Sequence, residues 1–234
     1  MKDLFGKAIL DYQTDNDPQD LITETSISEP DEMSVAYLFL DYGQMPKIEQ
    51  KALSLAKGRV LDIGCGAGSH SLYLQNEKKL NVTSVDISAS AVEACRLRGL
   101  KNVRLQNLMD IEGETFDTIL LLMNGTGLCG RLANMPVFLT KLKSLLNPGG
   151  QILIDSSDII YMFDDDDGGK WIPTNHDYYG ELSFYVTYKG ETDEPLDWLY
   201  VDYNTLQNAA HANSLECELV LEGEHFDYLA RLTH

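Results

Sequence analysis

VLDIGCGAGSHSLYL, residues 60–74, is the stretch on which the fold of this chain turns. It begins as a short apolar strand, Arg59–Ile63. Glycines follow at 64, 66 and 68, and a helical pattern starts at Ser69. Lacking a Cβ, glycine lets the backbone turn sharply and lets a ligand approach it closely. The helix that follows presents unpaired N–H groups at its start. The next strand, Val82–Asp86, ends on a carboxylate about 20 residues after the first glycine, where it can accept both hydroxyls of an adenosine ribose.

Two ligand classes fit this outline. A dinucleotide fingerprint spaces its glycines G-x-G-x-x-G and turns the helix end toward a pyrophosphate. Here the spacing is G-x-G-x-G, and Asp62 stands two residues before Gly64. An anion there is a poor neighbour for pyrophosphate. It suits a cofactor with an ammonium on its amino acid end and a cationic sulfur. A glycine turn that binds nothing would leave the pair Asp62 and Asp86 without a reason.

Outward from this stretch, helix and strand patterns alternate from Lys47 to about Asp155. Helices are expected at Ile48–Ala56, Ser69–Asn76, Ala89–Leu97 and Met135–Leu146. Strands are expected at Val103–Asn107, Phe116–Met123 and Gln151–Asp155. The segment Asn147-Pro148-Gly149-Gly150 reads as a helix stop followed by a turn. Near-continuous apolar strands between helices imply a parallel sheet covered on both faces. Beyond Asp155 the pattern changes. Glu181–Lys189 and Pro195–Tyr203 read as an antiparallel hairpin, Thr205–Asn213 as a helix, and Cys217–Leu221 with Phe226–Leu232 as a last strand pair.

VLDIGCGAG, the strand-end Asp86, FDTILLLMN (116–124) and the LNPGG segment (146–150) resemble, in order and spacing, the successive motifs of class I S-adenosylmethionine-dependent methyltransferases. The match is close over residues 47–155, and the last strand pair is similar to that family's reversed hairpin. The resemblance implies an α/β, doubly wound, Rossmann-like sheet of seven strands, mostly parallel with one antiparallel. Residues 1–46 would form a cap segment and 47–234 the S-adenosylmethionine-binding domain, with an insertion at about 160–203 that adds a hairpin to the cap. Asp62 and the backbone of Gly64, Cys65, Gly66 and Gly68 would hold the methionine end. Asp86 would take the ribose, and Ile87 would pack on the adenine. Asn107 and Leu108 would meet the adenine edge, where the family usually has an acid; Asp110 is the rival. Met123 and Asn124 end the strand where cofactor and acceptor meet. Asn124-Gly125-Thr126-Gly127 departs from the Asn/Asp-Pro-Pro-aromatic pattern of enzymes that methylate nucleobases or glutamine. It resembles small-molecule members such as the glycine N-methyltransferase group. The reaction implied is direct displacement onto a nucleophilic N, O or S atom.

Candidates for contact with the acceptor are Asn124, Asp155, Asp158, Tyr37 and Tyr42. The two tyrosines either fold over the cofactor or fill an apolar helix face. His70 is expected to pack or cap rather than act as a base, and His176 to sit in a solvated loop. Asp164 to Asp167 read as a solvated acidic loop, because adjacent carboxylates rarely converge on one ion; no metal is implied.

Charge narrows the partners. There are 37 acidic against 18 basic side chains, a net charge of −19. Such a field repels phosphate backbones, which argues against nucleic acid. The acidic flanks, which include Asp41 and Asp158, either face water and keep the protein soluble or favour a small acceptor bearing an amine or other cationic or neutral group. Cys65, Cys95, Cys129 and Cys217 form no metal or redox spacing. No apolar run reaches the roughly 18 residues of a membrane span, and the first residues lack a signal-peptide pattern. The expected compartment is the cytoplasm. Two rivals stay open: an NAD-dependent oxidoreductase, and a non-catalytic module that keeps the cofactor pocket.

Overall fold

A computed structural model describes residues 2–165, 169–170 and 177–234. From the N-terminus, helix α1 (Leu4–Thr14) precedes strands β1 (Leu21–Thr25) and β2 (Ser28–Met33). Helix α2 (Lys47–Leu55) leads into β3 (Arg59–Ile63), α3 (Ser69–Asn76), β4 (Asn81–Asp86), α4 (Ala89–Leu97) and β5 (Val103–Leu105). Then come β6 (Phe116–Leu121), α5 (Met135–Ser144) and β7 (Leu146–Ser157). Strands β8 (Glu181–Tyr188), β9 (Glu191–Thr192) and β10 (Leu196–Leu199) precede α6 (Tyr203–Ala212), β11 (Glu216–Glu222) and β12 (Asp227–Thr233).

The main sheet has seven strands in the order β11-β12-β7-β6-β3-β4-β5. Only β12 runs antiparallel to both of its neighbours. Alternation along the inner strands builds two cores, one per face, as a strand period of two requires. Ile119 and Leu121 of β6, Ile152 and Ile154 of β7, and Ala230 and Leu232 of β12 pack with Phe138 and Leu142 of α5. Leu120, Leu153 and Leu229 point the other way, toward Ile48, Ala52 and Leu53 of α2.

The segment Asn147–Gly150 lies inside β7 rather than before it. The pairing with β6 slips between Phe116↔Leu146 and Thr118↔Gln151, so those residues form a bulge with Gly149 at φ 75°.

The N-terminal segment contributes more regular structure than its polar sequence suggests. Strands β1 and β2 join β8 and β10 in a second, antiparallel sheet ordered β10-β8-β1-β2, with β9 paired to β8. Leu4 and Ala8 of α1 pack under this sheet with Leu21, Val186 and Tyr188. On its other side Ile9 meets Ala91 and Ala94 of α4. Asp193 fastens the start of α1, its carboxylate accepting from the N–H groups of Lys2 and Leu4. Thus α1 joins the second sheet to the carboxyl edge of the first.

Candidate functional site

Between the two sheets lies a cavity of about 620 Å³. It sits at the carboxyl ends of β3, β4 and β6, where ligands bind in open α/β sheets. Gly64 and Gly66 turn the chain there at φ 72° and 51°. The N–H groups of Gly64 and Cys65 both donate to Val85 O, which fixes the turn against β4. Gly68 caps α3 at φ 81° and is absent from the lining. A Cβ on it would press on Leu100 and Cys95, so its smallness serves packing.

Asp86 lines the cavity with its carboxylate oriented by two backbone donors. Oδ2 accepts from Gly66 N and Oδ1 from Ser88 N, each at 2.9 Å. Burial raises its pKa, and these bonds partly oppose the rise. Ile87, 59% exposed, offers an apolar face beside it. Gln106, Asn107, Leu108 and Met109 continue the same wall. Asn107 Oδ1 already accepts from Met109 N at 2.9 Å, and Asp110 stands outside the lining. Asp62 is 2% exposed, accepts from Ser71 Oγ at 2.6 Å, and has its pKa raised by burial.

Met123 and Asn124 are both left-handed, at φ 65° and 60°. Non-glycine residues rarely adopt this conformation, and two in a row must be held there. Asp155 holds them: its carboxylate accepts from Met123 N at 3.1 Å and from Gly125 N at 2.8 Å. Burial pushes the Asp155 pKa up to about 6. Asn124 lines the cavity, but its side chain is committed to the framework. Its Oδ1 accepts from Ser156 Oγ at 3.1 Å and its Nδ2 donates to Leu199 O at 3.4 Å.

Of the remaining expected residues, Tyr37 reaches the cavity and is 40% exposed. Tyr42 does not; its ring stacks on Tyr73 with centroids 4.1 Å apart. Asp158 also lies elsewhere, accepting from Tyr179 Oη and from Ile160 N. Asp155 sits behind the wall as a positioning residue. Asp166, Asp167 and His176 lie outside the described residues. Among the described residues no group of three or more His, Cys, Asp or Glu could hold a metal ion, and no helix is long and apolar enough to cross a membrane.

Sequence reasoning missed the opposite wall. Phe184, Leu196, Trp198 and Tyr200 of the second sheet and its connections face the glycine turn across the cavity. Their alternation had indicated a hairpin, but not what it covers. Glu49 was missed too, because a lone acid in an amphipathic helix usually faces water. It is buried at 7% exposure, and its Oε2 lies 2.6 Å from His70 Nε2. Burial alone would lower the His70 pKa; the carboxylates of Glu49, Asp62 and Asp155 outweigh it and raise the value.

This combination of a β12-reversed sheet, a glycine turn and a strand-end acid over a cavity defines a methyltransferase. Residues 54–198 match the family described as "Methyltransferase domain", and the chain belongs to that family. Over 99% of its length it is 47% identical to a SAM-dependent methyltransferase from Bacteroides fragilis, solved in complex with S-adenosyl-L-homocysteine; the TM-score is 0.91 and 94% of that chain is covered. A stretch of 61 residues, 26% of this chain, is 44% identical to ribosomal RNA small subunit methyltransferase C of Escherichia coli. Another of 114 residues, 44% of this chain, is 29% identical to ubiquinone biosynthesis O-methyltransferase of Xanthomonas euvesicatoria. These matches span only 16% and 45% of the length of those two relatives.

Proposed function

We propose that this chain transfers the methyl group of S-adenosylmethionine to a small acceptor that carries an amine. The observation that carries this reading is one cavity with a cofactor-like wall on one side and aromatic residues on the other. Asp86 takes the ribose hydroxyls, Ile87 packs on the adenine, and Asn107 with Leu108 meets its edge. The backbone of Gly64, Cys65 and Gly66 cradles the methionine end, with the charge of Asp62 behind it; Gly68 supports that turn through packing. Met123 and Asn124 bring the end of β6 to the sulfonium. Residues 1–46 and the insertion at about 160–203 cap the domain of 47–234.

The acceptor amine first gives up its ammonium proton to water. Its lone pair then forms a bond to the methyl carbon while the carbon–sulfur bond breaks, and the positive charge passes from sulfur to nitrogen. The bonding pair returns to sulfur and leaves neutral S-adenosylhomocysteine. Such a step needs alignment and the exclusion of water. Phe184, Trp198, Tyr200 and Tyr37 supply apolar walls, and aromatic faces also favour cationic groups.

The lining favours an amine. Among the described residues it includes Asp3, Glu49, Asp62, Asp86, Asp193 and Glu194 but no Lys or Arg. A cleft lined by one sign of charge concentrates ligands of the other. RNA needs a basic surface that neutralises phosphates, so the substrate named for the ribosomal RNA relative is not carried over. The free cysteines suit a reducing compartment such as the cytoplasm. The test is incubation with S-adenosylmethionine tritiated in its methyl group and the small-molecule fraction of a cell extract. Label should appear on an amine. Label only on molecules without an amine, or only on RNA in a parallel incubation with the RNA fraction, would remove the reading. S-adenosylhomocysteine, and not NAD(H), should raise the melting temperature.

A further inference from the structure

A carboxylate and an imidazole stand side by side in the cavity, outside the glycine turn itself. His70 is the second residue of α3, Glu49 belongs to α2, and both line the cavity. Only one atom of each is engaged: Glu49 Oε2 with His70 Nε2, at 2.6 Å. Glu49 Oε1 and His70 Nδ1 have no protein hydrogen bond among the described residues. No fully buried side-chain polar atom among those residues lacks a partner, so both of these atoms keep access to cavity space.

The charge of the lining makes this pair significant. With no Lys or Arg among the described residues of the cavity wall, an anionic ligand group has few places there to find counter-charge. His70 is the lining side chain that can supply it. The first turn of α3 adds to it. Gly68 provides no side-chain cap, and the N–H groups of Ser69 and His70 donate to no acceptor among the described residues. Helix N-termini favour carboxylates. S-adenosylmethionine carries a carboxylate and an ammonium on one carbon. The cavity offers the imidazole Nδ1 and the backbone N–H groups of Ser69 and His70 for the first, and a free carboxylate oxygen for the second.

We propose that His70, oriented by Glu49, binds the carboxylate of the methionine end of the cofactor, while Glu49 Oε1 accepts from the adjoining ammonium. This rests on the S-adenosylmethionine reading above. It also gives Asp62 a narrower part. Asp62 is tied to Ser71 behind the turn and acts through its field, whereas Glu49 touches the ligand. The groups facing His70 are Glu49 on α2, Asp62 on β3 and Asp155 on β7, and all three favour its charged form. Tyr37 faces Glu49 from the segment before α2. Cofactor binding is therefore strongest with His70 protonated and weakens as pH rises through its raised pKa.

Calorimetry with two probes tests this without knowledge of the acceptor. One is S-adenosylhomocysteine; the other is 5′-methylthioadenosine, which lacks the amino acid end. His70→Gln and Glu49→Gln should each weaken the first about tenfold or more, the loss of a charge-assisted hydrogen bond, and leave the second within about twofold. Unchanged binding of 5′-methylthioadenosine also reports that the variants are folded. The wild-type affinity for S-adenosylhomocysteine should fall with rising pH, and that of His70→Gln should not. Undiminished binding of S-adenosylhomocysteine by both variants overturns the proposal, as does an equal loss for both probes. If the wild-type protein binds neither probe, the cofactor reading falls with it.

Discussion

Asp86, half-buried, and Asp155, buried, each accept two backbone N–H bonds, yet they serve different ends. Asp86 lies on the cavity wall. Asp86→Ala should weaken S-adenosylhomocysteine binding at least tenfold, because each charge-assisted hydrogen bond to the ribose is worth about 1.5–3 kcal/mol. Calorimetry showing less than about a threefold change, well under one such bond, would place the ribose elsewhere. Asp155 reaches no ligand and works through the Met123–Asn124 turn. Its pKa is about 6 in the folded protein against 3.8 as the ordinary value. The folded state thus holds this proton more tightly than the unfolded chain. Stability from this group is greatest below pH 3.8 and declines as pH rises to about 6, by up to about 3 kcal/mol. Asp155→Asn should flatten that part of the stability curve. Urea unfolding at about pH 4 and pH 7, on either side of the titration, checks it. An unaltered slope would mean that Asp155 does not titrate there.

Among the elements, those built on strong patterns were legible in the sequence and those built on tertiary support were not. The apolar runs of β3, β4 and β6, with glycine and Asp punctuation, left one arrangement open. Strands β1 and β2, LITET and SEPDEM, carry too few apolar residues to announce themselves; they are strands because β8 gives β1 a partner and β1 in turn pairs with β2. The same limit hid the cavity's second wall, since an alternating hairpin does not reveal what its inner face meets. The register of that wall depends on one close approach. Gly127, in the turn after β6, lies against the Trp198 ring, and a Cβ there would overlap it. Gly127→Ala should push β10 away from the main sheet, at a cost of about 1–3 kcal/mol for overpacking. The melting temperature should fall by several degrees, about 2–4 °C per kcal/mol for a chain of this size. Tryptophan fluorescence should also report a moved Trp198. A variant that melts and fluoresces like the wild type would show that the hairpin adjusts freely.

At the scale of the whole molecule, the net charge of −19 has a place as well as a sign. The sequence pointed to Asp41 and Asp158 as part of an acidic active-site rim, but neither lines the cavity. The carboxylates that do are mostly engaged by the protein itself. Asp3 accepts from Ser90 N, Asp193 from the start of α1, and Asp86 from the glycine turn. Glu194 differs: it is exposed, lines the cavity, and its carboxylate has no hydrogen bond among the described residues. A free charge in that position acts on an arriving ligand through water, so its effect is screened over about 10 Å at 0.1 M salt. For an amine acceptor, KM should rise as salt increases from low to moderate ionic strength. Glu194→Gln should raise KM severalfold at low salt and much less at high salt, with the affinity for S-adenosylhomocysteine unchanged. Neutralising Asp41 or Asp158 should leave KM as it is. Steady-state kinetics over a salt series, with the amine that accepts label in the extract experiment, separates these outcomes. A KM indifferent to both salt and Glu194 would assign the carboxylates to solubility and structure, and acceptor choice to the aromatic wall alone.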